Sequence, residues 1–232
     1  MTDLTVTVIV PVYNGERYLA EALESVRAQD HRPIDLVVVD DGSDDGTGDV
    51  ARGFPEARYL RRDHAGLAAT RNAGVAAARG AFIAFLDADD LWPPHKLRVQ
   101  VDHLVRHPEV DYVVAYLRNF LEPGHVAPGW LKPEQLEEDQ VAFSTGTLLA
   151  RREAFERIGD FNPVFAVGDD TDWFSRARQA GLVSGVLPEA LLRRRIHDRN
   201  LTTELLAACR PSTFSILKAA LDRRRAGAGG PA

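Results

Sequence analysis

Residues 6–14 read VTVIVPVYN, and residues 34–41 read IDLVVVDD. The first is a continuous β-branched run from Val6 to Val12 that ends in a proline and a turn-forming asparagine. Between the two lies Arg17–Arg27, where Leu19, Leu23 and Val26 fall on one helical face. Apolar strands without strict polar alternation, joined through helices, require cover on both faces and so predict a mostly parallel sheet. The pattern continues outward. Ser43, Asp44 and Asp45 supply cap chemistry for a short helix over 47–52, 57–60 is a weaker strand, and 67–78 is a helix rich in small residues. Residues 81–86 are another apolar strand, running into the acids of Asp87–Asp90. The fold class is α/β, with a Rossmann-like, mostly parallel central sheet and helices on both faces.

In sheets of this kind, ligands bind outside the carboxyl ends of the strands. Pro11–Asn14 ends the first strand, Asp40 and Asp41 the second, and Asp87–Asp90 the fourth. Carboxylates gathered at one edge repel each other unless a cation or a donor-rich ligand joins them.

The second half is less regular. Pro93 and Pro94 suit a helix start before 96–105, a strand is predicted over 110–117, and prolines and glycines make 118–140 loop-like. A strand over 142–150, a helix over 152–158 and a helix over 171–179 complete the pattern. The expected organisation is one domain over 1–205, divided into halves over 1–117 and 118–205. A C-terminal helix and tail occupy 206–232.

Charge sharpens this reading. The 232 residues hold 28 Lys and Arg against 34 Asp and Glu, a formal charge of −6. That balance argues against nucleic acid as a partner. Ten of the acids sit in three clusters, DDGSDD, DADD and DDTD; outside them 28 basic side chains face 24 acidic ones. A mildly basic protein with three carboxylate clusters reads as a cation site beside an anionic ligand. Cys209 stands alone, which excludes a disulfide framework and a cysteine zinc cluster. The first apolar run is too short to span a membrane and lacks a basic leader, so a cytoplasmic protein is expected. The run Arg223–Arg225 and the amphipathic 214–221 segment permit peripheral contact at the inner membrane face or a homodimer interface.

The motifs VIVPVYNGERYL, VVVDDGSDDGT, GLAATRNAG and FIAFLDADDLWPPHKL, in this order, resemble those of family 2 glycosyltransferases, which have the GT-A fold. The resemblance is strong over about the first 110 residues and looser as far as His197. It implies a metal-dependent, inverting transfer of a sugar from a nucleotide diphosphate, with UDP-sugar as the expected donor, to an acceptor hydroxyl whose carrier is left open. It places Pro11, Val12, Tyr13 and Glu16 beside the base, with Asp41 accepting from the ring N–H. Gly66 and Arg71 lie on the motif that supports the sugar and phosphates, although Arg71 could instead be a surface helix residue. Asp87 and Ala88 face the ribose. Asp89 is the expected ligand of Mn²⁺ or Mg²⁺, with Asp90 bracing its loop. In GDDTDW, Asp169 stands where the family usually has Glu, and Asp170 takes the position of the catalytic base, with Asp172 as its competitor. His197 either closes the metal shell or binds diphosphate. Trp92, Trp130 and Trp173 could stack on sugar or pack in the core. An inactive nucleotide-sugar-binding module is the alternative, and an acid at position 170 argues against it.

Overall fold

A computed structural model describes residues 3–200. The expected C-terminal helix and tail, Cys209 and Arg223–Arg225 lie outside the described residues. Sheet order is β3-β2-β1-β4-β7-β5-β6, with β8 also paired to β5. The strands are β1 (Val6–Val12), β2 (Ile34–Asp40), β3 (Ala57–Arg61), β4 (Phe82–Phe85), β5 (Tyr112–Leu121), β6 (Gln140–Val141), β7 (Leu149–Arg151) and β8 (Ser184–Ile196). Pairing is parallel from β3 through β4 and between β5 and β8; β7 runs antiparallel to both its neighbours. The helices are α1 (Leu19–Arg27), α2 (Thr47–Arg52), α3 (Leu67–Ala77), α4 (Lys96–Arg106), α5 (Glu134–Glu137), α6 (Arg152–Ile158) and α7 (Asp169–Gln179). None of the described helices is long and apolar enough to cross a membrane.

All seven residues of β1 are buried, and strand alternation divides them between two cores. Val6, Val8, Val10 and Val12 pack with Leu19, Leu23 and Val26 of α1 and with Leu97, Val101 and Leu104 of α4. Ile9, Val37, Ile83 and Phe85 pack on the other face with Ala68 of α3, Phe155 of α6 and Trp173 of α7. The small-residue pattern of α3 has a local cause: a Cβ on Gly74 would come within 2.3 Å of an Ile9 methyl. Trp92 and Trp173 are 3% and 0% exposed and belong to the core.

Three expectations need correction. The strand drawn over 142–150 is a 3₁₀ turn (Thr145–Thr147) followed by the short β7. The segment 118–140 is not all loop, since β5 runs to Leu121 beside the long β8 and Glu134–Glu137 is helical. Helix α7 begins two residues earlier than predicted, after Gly168 in the left-handed region at φ 84°. Non-local pairing with β8 sets the second difference, and local proline and glycine counting cannot register it.

Lys96, at the start of α4, is wholly buried. Its ammonium lies 4.2 Å from the Trp92 ring centroid and donates to Gln100 Oε1 at 2.5 Å. Burial lowers its pKa to about 7. Above that value the folded chain releases a proton that the unfolded chain still holds, so this group makes stability rise with pH toward the ordinary lysine range. The Tm of the protein should therefore climb between pH 7 and 9 relative to Lys96→Met, measured side by side; parallel curves would refute the assignment.

Candidate active site

The loop after β1 and the loop after β2 are stitched together by short polar side chains. Ser43 Oγ accepts from Asn14 N at 2.9 Å, Thr47 Oγ1 from Gly15 N at 2.9 Å, and Asp45 from Glu16 N at 3.1 Å. In return Asn14 Oδ1 accepts from Asp44 N and Glu16 Oε2 from Gly46 N, each at 3.0 Å. Glu16 thus ties the two loops together. Asn14 holds φ 50°, a left-handed turn that asparagine tolerates. Much of DDGSDDGT is this brace, and Asp40 is wholly buried, accepting from Ser43 N at 2.8 Å and from the Tyr59 hydroxyl.

On that brace stands an exposed ring. Tyr13 is 52% exposed, at the end of a strand whose Pro11 and Val12 are buried. His64 lies against it with ring centroids 4.3 Å apart, and its Nδ1 sits 2.9 Å from Asp41 Oδ2. Asp41 itself is buried, with its carboxylate accepting from Ala65 N (3.0 Å) and Gly66 N (2.8 Å) at the start of α3. Gly66 holds φ 90°, which a side chain would strain. His64 lies between the DDGSDDGT and GLAATRNAG motifs and belongs to neither. Its signal, a histidine two residues before a glycine that opens a helix, is too common to notice without the strand-end partner.

Arg71 occupies the centre of the site and is not on the surface. It is 3% exposed, and its Nη1 donates to both oxygens of Asp169 at 3.0 and 2.9 Å while Nη2 donates to Asp87 at 3.1 Å. Burial opposes its charge, but Asp169, Asp87 and Asp170 outweigh burial and hold it protonated. The arginine therefore joins the end of β4 to the start of α7. Asp169 is buried and faces inward, onto Arg71. Asp172 is also buried and accepts from Arg176 Nε at 2.7 Å, which leaves Asp170 as the half-buried acid of the cluster. Desolvation raises the Asp170 pKa, Arg71 pulls it down, and the nearby Asp169 raises it again. Its Oδ1 accepts from Thr171 N at 2.7 Å.

After β4, Asp87, Ala88 and Asp89 are half-buried and Asp90 is buried. Asp90 accepts from Arg195 N at 2.9 Å, the bracing expected of it. Arg195 is also buried, donating to Asp89 O, Glu21 and Glu122 beneath the Tyr18 and Phe120 rings. Asp89 Oδ2 lies 3.0 Å from His197 Nε2 and 3.2 Å from Asn200 Nδ2. His197 Nδ1 accepts from Arg199 N at 3.1 Å, so in the neutral ring Nε2 carries the proton and donates to Asp89. Asp89 has the hard oxygen donors that Mn²⁺ or Mg²⁺ prefers, whereas His197 would have to give up its Nε2 proton to ligate. Among the described residues no three His, Cys, Asp or Glu side chains form a ready metal cluster.

The sequence profile of glycosyl transferase family 2 matches residues 7–169, and the chain belongs to that family. An uncharacterized glycosyltransferase of Rickettsia typhi, RT0329, is 28% identical over 214 residues, covering 87% of this chain and 67% of that protein. Glycosyltransferase GlyA of Streptococcus pneumoniae is 42% identical over 94 residues, 39% of this chain and 14% of its own length. The chain thus spans about two thirds of the first relative and a small part of the second. Among solved structures, S. aureus TarS 1-349 with UDP-GlcNAc has TM-score 0.70 at 22% identity, covering 84% of this chain and 60% of that one. The mannosyltransferase PcManGT of Pyrobaculum calidifontis, with GDP-Man and Mn²⁺, has TM-score 0.68 at 23% identity, covering 98% and 76%. These likenesses establish the GT-A fold.

Arg71→Met would leave Asp169 and Asp87 without their cation, one of them deeply buried. The loss should be about 3–5 kcal/mol in urea unfolding, the range for removing one partner of a buried pair. A change under about 1 kcal/mol would mean that the carboxylates find other partners.

Proposed function

We propose that this chain catalyses inverting transfer of a sugar from a nucleotide diphosphate, UDP in the first instance, to an acceptor hydroxyl, with Mn²⁺ or Mg²⁺ bound through Asp89. The observation that carries this reading is the convergence on Arg71 of Asp87, from the DADD turn, and the Asp169–Asp170 end of α7. A donor-side acid and a half-buried acid with a raised pKa meet there in one electrostatic unit. The likeness to folds that hold UDP-GlcNAc or GDP-Man in other proteins agrees with a nucleotide-sugar donor.

In this reading the exposed Tyr13 ring, flanked by Pro11, Val12 and Glu16, offers a face to the base. Asp41 keeps acceptor capacity beyond its two backbone donors and takes the ring N–H. Asp87 and Ala88 face the ribose. Asp89 would hold the divalent cation, which when bound would neutralise charge on the departing diphosphate, and His197 and Asn200 orient that carboxylate by hydrogen bonds. Asp170 then removes the acceptor proton as the acceptor oxygen attacks the anomeric carbon from the face opposite the diphosphate. One carbon–oxygen bond forms while the other breaks, and the configuration inverts. Desolvation equips Asp170 for this role by raising its proton affinity toward the working pH.

Asp170→Asn should retain UDP binding by calorimetry and lose about 10²–10⁴-fold in transfer; unchanged turnover would remove the base assignment. Asp89→Ala should abolish the Mn²⁺-dependent part of UDP binding, and a titration identical to the native one would remove the metal assignment. Because Asp170 must be ionised to accept a proton, kcat/KM should fall on acidification at a higher pH than an ordinary carboxylate would give. A nucleotide-sugar panel read by thermal shift, with and without Mn²⁺, tests the donor, since ligands that bind only the folded state raise Tm.

A further inference from the structure

Along α7 from Thr171 to Arg178, reaching Tyr112 and Ser184 at the amino ends of β5 and β8, lies an open pocket of about 530 Å³ that the donor reading does not use. Its walls include Phe143, Thr171, Phe174, Ser175, Arg178 and Ser184. Phe143 is 49% exposed, on the turn before the 3₁₀ segment, and meets Phe174 edge-on with ring centroids 5.5 Å apart. Thr171, Ser175 and Ser184 add hydroxyls. Arg178 is exposed, and its guanidinium makes no hydrogen bond or ion pair with any described residue. By contrast Arg71, Arg176 and Arg195 are all held by acids.

Two features join this pocket to the proposed base. Asp170, Phe174 and Arg178 are spaced i, i+4, i+8, so they follow one another along a single face of α7 over about 12 Å. Thr171, which lines the pocket, also places its hydroxyl 3.4 Å from Asp170 Oδ1. A chain molecule lying in the pocket would therefore bring its next unit to the carboxylate.

We infer that this pocket binds the acceptor, and that the acceptor is a glycan carrying an anionic group. The inference rests on the function proposed above. An exposed aromatic ring offers a face to a sugar's C–H surface, and the hydroxyls match sugar hydroxyls. The unpaired guanidinium selects for a carboxylate or phosphate, whose geometry its fork fits in two parallel hydrogen bonds. The pocket's volume lies within the usual range for small-molecule sites.

The test is saturation-transfer NMR and calorimetry on the full chain with three probes: a hyaluronan tetrasaccharide, glucose 6-phosphate and neutral chitotetraose. At least one anionic probe should bind about tenfold more tightly than chitotetraose. Arg178→Ala should erase that preference, Phe143→Ala should weaken every probe that binds, and UDP affinity should stay unchanged in both variants. Equal binding of all three probes with a silent Arg178→Ala overturns the inference. So does a native chain that binds UDP but none of the probes, or a chain whose dimerisation is lost on Arg178→Ala, which would make the pocket a self-association surface. A native chain that binds an anionic probe at this pocket but does not bind UDP overturns the proposed function and leaves the anion-selective pocket standing.

Discussion

Arg71 is a buried cation on α3, and three acids from two distant parts of the chain surround it. Asp87 comes from the turn after β4, and Asp169 and Asp170 from the start of α7. An arginine this deep must be paired, and the carboxylates this close must share a cation, so each side makes the other tolerable. The first half of the chain, with its parallel strands, and the second half, with its antiparallel β7 and long β8, are locked at this point. Asp170 acquires its environment from the lock: its neighbour Asp169 is drawn inward onto Arg71, while Asp170 remains half-exposed beside the opening.

A second device repeats this logic on the other side of the DADD turn. Arg195 is buried among Glu21, Glu122 and the carbonyl of Asp89, and its backbone N–H is held by Asp90. Asp90 is buried next to Asp89 and Asp87, which raises its pKa well above the usual carboxylate range. The turn is thus clamped from both ends by buried arginines, Arg71 at Asp87 and Arg195 at Asp89 and Asp90. Such clamping fixes carboxylates in place before any ligand arrives, which is the preorganisation an electrostatic site needs.

The three acidic clusters look alike in the sequence but divide their work. In the first, Asp40 and Asp45 accept from neighbouring backbone and hydroxyl groups, and Asp41 pins the start of α3. In the second, Asp90 braces while Asp87 and Asp89 stay accessible. In the third, Asp169 and Asp172 are each consumed by an arginine, and Asp170 is left over. Less of the excess negative charge is free to meet ligand than a count of acids suggests.

What could be read from the sequence follows from how local each signal is. The strand at Val6–Val12, its alternation with helices, and the placing of acids at strand ends depend on hydrophobic runs and turn residues that lie within a dozen positions. These determined the α/β class and brought Tyr13, Asp41, Asp87 and Asp89 to one edge, because parallel strands put their carboxyl ends together. The length of β5 beside β8, the His64 ring on Tyr13 and the burial of Arg71 against Asp169 depend on residues about 50 to 100 positions apart. Only the tertiary structure decided them, because a charge's partner and a side chain's exposure belong to its neighbours in space, and the residue type alone carries no record of them.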